Sequence, residues 1–254
     1  MRGYRKILAA AALASVLALS GCQPSKTARE AREAGIESLN AGDYEGAIAS
    51  FEMALNDRKG SAGRFEFDVL KYRGEAEYRA GDFAAAAHTY GVLLDADGER
   101  AEYYNLESMA LSGSGDVKEA MAAYESGLEM DKEAPFGEEA LFALGRALED
   151  QGEYDQALSL YEGGIAAGKD AGRLYSRMGR CAVEKGDCET ALLYFDSGEA
   201  AGDESAKREI AYNRAVAREY MGDFSGALQA FQDYEAIYGA TPETEHEIAF
   251  LKTR

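Results

Sequence analysis

Two hydrophobic patterns run along the chain. One is continuous: Ile7 to Leu19 is an uncharged, largely apolar run of 13 residues, shorter than the ~20 residues a bilayer-spanning helix needs. The other is broken and recurrent. Six segments begin Gly-acidic, mostly followed by an aromatic residue: at Gly42, Gly81, Gly115, Gly152, Gly186 and Gly222. Their glycines lie 39, 34, 37, 34 and 36 residues apart. Five residues after each glycine stands an alanine: Ala47, Ala86, Ala120, Ala157, Ala191 and Ala227. Four residues later, on the same helical face, stands a ring: Phe51, Tyr90, Tyr124, Tyr161, Phe195 and Phe231. This pattern predicts paired helices. Glycine ends helix A, because a left-handed cap suits it. The acidic residue opens helix B at free N–H donors. The small alanine lets the two helices approach, and the ring fills the seam beyond it.

The recurrent unit resembles the tetratricopeptide repeat, a helix-turn-helix of 34 residues. The resemblance covers about residues 28–238 and implies an all-α fold, an α-solenoid of six repeats. Gly35, Gly74, Gly145 and Gly179 stand at the family's small-residue position on helix A, with Ser108 and Ala215 in the other two copies. The family's proline near the end of helix B is absent. An open repeat stack needs a polar cap. Thr241-Pro242-Glu243 is a helix start, and it leads into Ile248, Ala249 and Leu251. Residues 242–252 are therefore expected to form a C-terminal capping helix.

The continuous run has a second resemblance. Arg2, Arg5 and Lys6 precede it, and Leu19-Ser20-Gly21-Cys22 follows it. The order of charge, apolar run, small residues and cysteine is similar to the lipobox of bacterial lipoproteins. That resemblance implies a signal peptide over residues 1–21, cleaved before Cys22. The thiol of Cys22 would carry lipid, residues 22–27 would form a short tether, and the mature chain would sit at the extracytoplasmic face of a membrane. The covalent lipid is the only added group expected; no cofactor is.

Charge sharpens the picture. The chain carries −19 formally; loss of residues 1–21 leaves 24 Lys+Arg against 46 Asp+Glu, or −22. So acidic a surface is repelled by nucleic acid and by anionic lipid head groups. This excludes nucleic-acid binding and electrostatic membrane binding, so an anchor must be lipid. With 46% hydrophobic and 10% aromatic residues, the chain can still build a core.

Catalytic chemistry finds no foothold. His88 and His246 lie in different parts of the chain, each without a second His or Cys at metal-ligand spacing. There is no nucleophile elbow or P-loop. The chain is read as a non-enzyme without a metal site. Cys181 and Cys188 bracket the tip of repeat 5. They are compatible with a small disulfide loop and equally with two free thiols.

The family's groove positions point to a ligand surface. In this sequence they hold Lys71 and Tyr78 in repeat 2, Asn105 in repeat 3 and Arg146 in repeat 4. Repeat 5 adds Arg173, Arg177 and Arg180, and repeat 6 adds Tyr212, Asn213 and Tyr220. The three repeat-5 arginines share one side of a helix and suit a carboxylate or phosphate. They suit salt bridging to neighbours such as Glu149 equally well. The carboxylate clamp known in some members of the family is not matched, since Asn105, Met109 and Ala143 stand where it needs Lys and two Asn. The expected function is a membrane-anchored scaffold of the bacterial envelope that docks a protein segment in its concave groove. The alternatives are a binder of anionic cell-wall polymer and a regulatory subunit of an envelope enzyme complex.

Overall fold

The computed structural model describes residues 24–56, 62–202 and 204–254. Among the described residues there are thirteen helices and no strand. They form six antiparallel pairs: α1 (Lys26–Ala41) with α2 (Tyr44–Asn56), α3 (Arg64–Ala80) with α4 (Phe83–Asp97), and α5 (Ala101–Ser114) with α6 (Val117–Met130). The series continues with α7 (Gly137–Asp150) and α8 (Tyr154–Ala166), α9 (Ala171–Glu184) and α10 (Cys188–Ala201), and α11 (Glu204–Tyr220) and α12 (Phe224–Tyr238). A last helix, α13 (Pro242–Leu251), follows. Each well-packed pair lies within one repeat or between consecutive repeats. This is an all-α solenoid.

Local chemistry makes each hairpin. At the first turn of repeat 2, Gly81 has φ +82° and its N–H donates to Tyr78 O at 3.1 Å, while Asp82 N–H donates to Glu77 O at 3.0 Å. A side chain would strain that left-handed position. Asp82 then caps α4, its carboxylate accepting from Ala85 N–H at 3.1 Å. Asp187 and Asp223 cap α10 and α12 in the same way. In repeat 3, Asp116 instead accepts from Ser114 Oγ at 2.8 Å.

Packing follows the aromatic-on-glycine pattern. All six helix-B alanines are fully buried, and the six rings are 0–4% exposed. Four of the rings are set against the glycine of their own repeat, and Phe231 clusters with Ala215. A Cβ added to Gly35 would sit 2.5 Å from the Phe51 ring, and one on Gly179 would sit 2.1 Å from Phe195. The rings also reach the next repeat: Phe51 stacks on Tyr72 at 5.9 Å. Repeat 3 uses Ser108, which donates to Ala120 O at 2.8 Å. At the far end, Ile248 and Leu251 of α13 cover Ala215, Ala227 and Phe231. Thr241 caps this helix by accepting from Thr244 N–H at 3.3 Å.

The A helices are not evenly spaced. α5 packs closely on α7, and α9 on α11, whereas α3 with α5 and α7 with α9 lack such close packing. Small residues allow the close contacts: a Cβ on Gly172 of α9 would be 3.2 Å from the Cβ of Ala206 in α11. Between α7 and α9, long side chains bridge instead, chiefly Arg177 to Glu149. The wider spacings open two recesses on the concave side.

Residues 1–23 lie outside the described residues, so the apolar run and Cys22 carry no structural description. Among the described residues, no helix is long and apolar enough to cross a membrane.

Candidate functional site

The concave face holds two adjoining recesses of about 460 and 480 Å³. Tyr78 of α3 and Met109 of α5 line both, so they form one trough. The front recess is lined by Tyr72, Tyr78, Tyr90, Leu106, Met109 and Phe136, together with the charged side chains Asp68, Lys71, Glu75, Arg79, Glu102 and Glu139. The back recess is more polar. It is lined by Phe83, Phe142, Arg146, Asp150, Arg173, Arg177 and Glu209 besides the two shared residues.

Most charges at the front are tied down, Glu139 excepted. Lys71 pairs with Glu102 at 2.8 Å and lies 5.5 Å from the Tyr103 ring centre. Arg79 pairs with Glu75 at 2.7 Å, and Asp68 with Arg32 of repeat 1 at 2.5 Å. Burial raises the Tyr78 pKa, so its hydroxyl stays protonated and able to donate. Beneath the recess, Glu77 is buried against Arg73 and Thr89, accepting from Thr89 Oγ1 at 2.6 Å. Burial outweighs those partners and raises its pKa above the usual carboxylate range.

The back recess contains two kinds of arginine. Arg177 is locked: Nε and Nη2 donate to the two oxygens of Glu149 at 2.9 and 2.7 Å, and Tyr161 Oη donates to the same carboxylate at 2.6 Å. Burial opposes the Arg177 charge, but Glu149 and Tyr161 together outweigh it and its pKa is raised. Arg173 is loosely held, 3.8 Å from Glu138, with its guanidinium 4.0 Å above the Phe142 ring. Arg146 is three-quarters exposed and 3.9 Å from Asp150. Neither distance makes a strong charge-assisted hydrogen bond.

The predicted groove residues therefore divide. Lys71, Tyr78, Arg146, Arg173 and Arg177 line the trough. Asn105 does not: it is 2% exposed and its Nδ2 donates to Pro135 O at 2.9 Å, fixing the loop before α7. It faces the α5–α7 contact, where the helices are too close to leave a surface. Tyr212 packs edge-on against Phe231 and Tyr234 in the last repeat. Asn213 reaches Ser176 Oγ at 3.5 Å across the α9–α11 contact. Arg180 and Tyr220 are exposed but line neither recess.

Cys181 and Cys188 are free thiols, both buried, so the disulfide alternative is not formed. The helix phase explains this. Cys181 points back into the core of repeats 3 and 4, beside Glu149, whereas Cys188 opens α10. Burial, reinforced by Glu149, pushes the Cys181 thiol up to about 12. Among the described residues, no three His, Cys, Asp or Glu side chains could hold a metal ion.

Sequence reasoning missed Phe83, Phe136 and Phe142. Phe83 and Phe142 follow the helical pattern and read as core. Phe136 stands outside the pattern, in Ala134-Pro135-Phe136, and that position was its only signal.

Known proteins agree with this architecture. No curated protein matches the chain in sequence. Among solved structures, PilW, a widely conserved type IV pilus biogenesis factor, is similar with a TM-score of 0.62 at 18% identity, over 87% of this chain and 98% of that one. MamA is similar with a TM-score of 0.57 at 22% identity, over 72% and 95%. MamA from Desulfovibrio magneticus RS-1, residue 41 to its end, gives 0.57 at 16% identity, over 70% and 97%. The tetratricopeptide repeat model matches residues 32–101, 73–138, 105–172 and 142–206, more than half of the chain. With six helix pairs built on one glycine–acid–aromatic plan, this chain belongs to the tetratricopeptide repeat family, whose members are generally protein–protein interaction scaffolds.

Proposed function

We propose that this protein is a lipid-anchored scaffold at the extracytoplasmic face of a bacterial membrane, and that it works by docking a segment of a protein partner in its concave trough. The observation that carries the docking is the trough itself. It is continuous across repeats 2 to 5, floored by rings and aliphatic side chains and edged by charge. Such a surface takes up an extended or helical chain. The anchor rests on the sequence Leu19-Ser20-Gly21-Cys22 behind a 13-residue apolar run. Ser25 caps α1, accepting from Ala28 N–H at 2.9 Å. Only about 10 Å of extended chain then separates Cys22 from the first helix, so the lipid would hold the repeats close to the bilayer. PilW, named for pilus biogenesis, shares the fold; bringing envelope components together is the class of work proposed here. The glycan alternative loses support, because Arg177 is committed to Glu149.

Two measurements test this. Mass spectrometry of the membrane-extracted protein is expected to find an N-terminus at Cys22 bearing a diacylglyceryl group, and Cys22→Ala is expected to move the protein to the soluble fraction. An unmodified N-terminal peptide would sink the anchor. A photo-crosslinking residue in place of Met109, in the trough, is expected to yield a protein adduct in cells. The same residue in place of exposed Glu129 on α6 is expected to yield none. Equal labelling at both positions, or none at either, would sink the docking.

A further inference from the structure

Among the described residues, Phe136 is the one non-glycine with positive φ, at 64°. A ring-bearing residue is strained there, and such strain persists only where the surroundings over-determine it. Here they do: Asn105 Nδ2 donates to Pro135 O at 2.9 Å, and Lys169 Nζ, from the next repeat, donates to Lys132 O at 2.9 Å. The Phe136 ring is 40% exposed and lines the front recess. Neighbouring rings already serve cations of the chain itself. Arg32 lies 5.3 Å from the Tyr72 ring centre, and Lys71 lies 5.5 Å from that of Tyr103. Phe136 has no such cation among the described residues. Three residues on, and so on the same side of the first turn of α7, stands Glu139. Four carboxylates, Asp68, Glu75, Glu102 and Glu139, line this recess against two cations, Lys71 and Arg79. Arg32, Arg79 and Lys71 take the first three. Arg173 faces Glu138 instead, at 3.8 Å, which leaves Glu139 without an ion pair among the described residues. A ring without a cation and a carboxylate without a partner thus share one recess.

Building on the docking reading above, we infer that the partner segment presents a basic side chain, Lys or Arg, to the front recess: its cation meets the Phe136 ring and the Glu139 carboxylate, and its stem lies on Leu106 and Met109. Lys and Arg fit both parts of this surface, because they carry charge at the end of an apolar stem. A purely apolar side chain would strip water from the Glu139 carboxylate and put nothing in its place. Asp or Glu would meet like charge there. Lys71 and Arg79 do not oppose the incoming cation, since each is neutralised by its own carboxylate at 2.8 and 2.7 Å. Arg146 and Arg173 line the adjoining recess, so the fit is local to the front. The negative charge of the whole chain adds steering toward a basic partner.

The test selects short displayed random peptides on the full-length protein in detergent. The winners are then measured by fluorescence anisotropy against wild type, Glu139→Lys, Glu129→Lys and Phe136→Gly. Glu129 is exposed on α6 and lines neither recess, so its variant makes the same change of net charge away from the site. Selected peptides are expected to carry Lys or Arg beside apolar residues. Glu139→Lys is expected to weaken them about tenfold or more, and Glu129→Lys by less than about twofold. Phe136→Gly is expected to weaken them about fivefold at an unchanged melting temperature, because glycine accepts this φ without strain. Replacing the basic residue of the peptide by Glu is expected to restore binding to Glu139→Lys. Peptides without Lys or Arg, or basic peptides that Glu139→Lys weakens no more than Glu129→Lys does, would overturn the inference and leave groove docking standing. No enrichment over a detergent blank would overturn the inference too; the docking reading falls with it only if the Met109 crosslink is also missing.

Discussion

The two recesses of the trough differ in how they spend their charges. At the front, Lys71 and Arg79 are held at 2.8 and 2.7 Å by Glu102 and Glu75. What remains for a ligand there is rings, aliphatic surface and the carboxylate of Glu139. At the back, Arg146 and Arg173 stand 3.9 and 3.8 Å from their nearest carboxylates, while Arg177 is fully engaged with Glu149. The lesson is that counting charges in a groove misleads; what matters is which charges already have partners. A locked arginine is part of the scaffold. A loosely paired one can exchange a weak partner for a better one at little cost.

The sharpest break of this comparison is Glu149→Ala. It would leave Arg177 buried with its charge unmatched, and such a loss costs about 3 kcal/mol. Urea denaturation is expected to show it. A cost below about 0.5 kcal/mol would mean that Arg177 is as free as its neighbours. Next comes pH, acting below the front recess. Burial raises the Glu77 pKa in the folded state above its value of 4.5 in the unfolded chain. Between those two values the folded state binds more protons, so this group's contribution to stability falls as pH rises and recovers on acidification. Glu77→Gln is expected to flatten the fall in stability as pH rises above 4.5. An unchanged pH slope would show that Arg73 and Thr89 fully compensate for the burial.

Smaller effects discriminate between loose and tight pairs. Lys71→Ala is expected to cost about 0.5–1 kcal/mol, because its pair with Glu102 is partly screened by water. Arg146→Ala/Arg173→Ala is expected to stay within about 0.5 kcal/mol of wild type in the same denaturation. If the order is reversed, the loose arginines are structural and the comparison fails. Smallest of all, Cys181, with its thiol pushed up to about 12, is expected to resist alkylation at pH 8. Glu149→Ala should speed the reaction by loosening the packing above it.

Much of the fold was legible because the repeat encodes itself locally. A glycine cap, an acidic helix start and an alanine–aromatic pair lie within ten residues of one another, and the chemistry of each acts at that range. Phe51 over Gly35 and Phe195 over Gly179 are contacts within a single hairpin. The site was legible only in part. The pair Arg177–Glu149 spans 28 residues, and Asn105 reaches 30 residues to Pro135. Helix phase alone places both residues toward the groove. Whether a side chain then meets solvent or the next helix depends on how far apart the A helices stand.

From the sequence alone come the six helix pairs, their turn chemistry, the excess of negative charge and the lipobox-like start, because each rests on residue type and short spacing. The tertiary structure decided which arginines are locked, that Cys181 faces inward and that Phe136 lines the trough at positive φ. The reason is physical. Stacking sets the gaps between repeats, and small residues such as Gly172 and Ala206 close one gap while Arg177 and Glu149 bridge another. Those gaps, summed along the solenoid, determine which side chains are left for a partner.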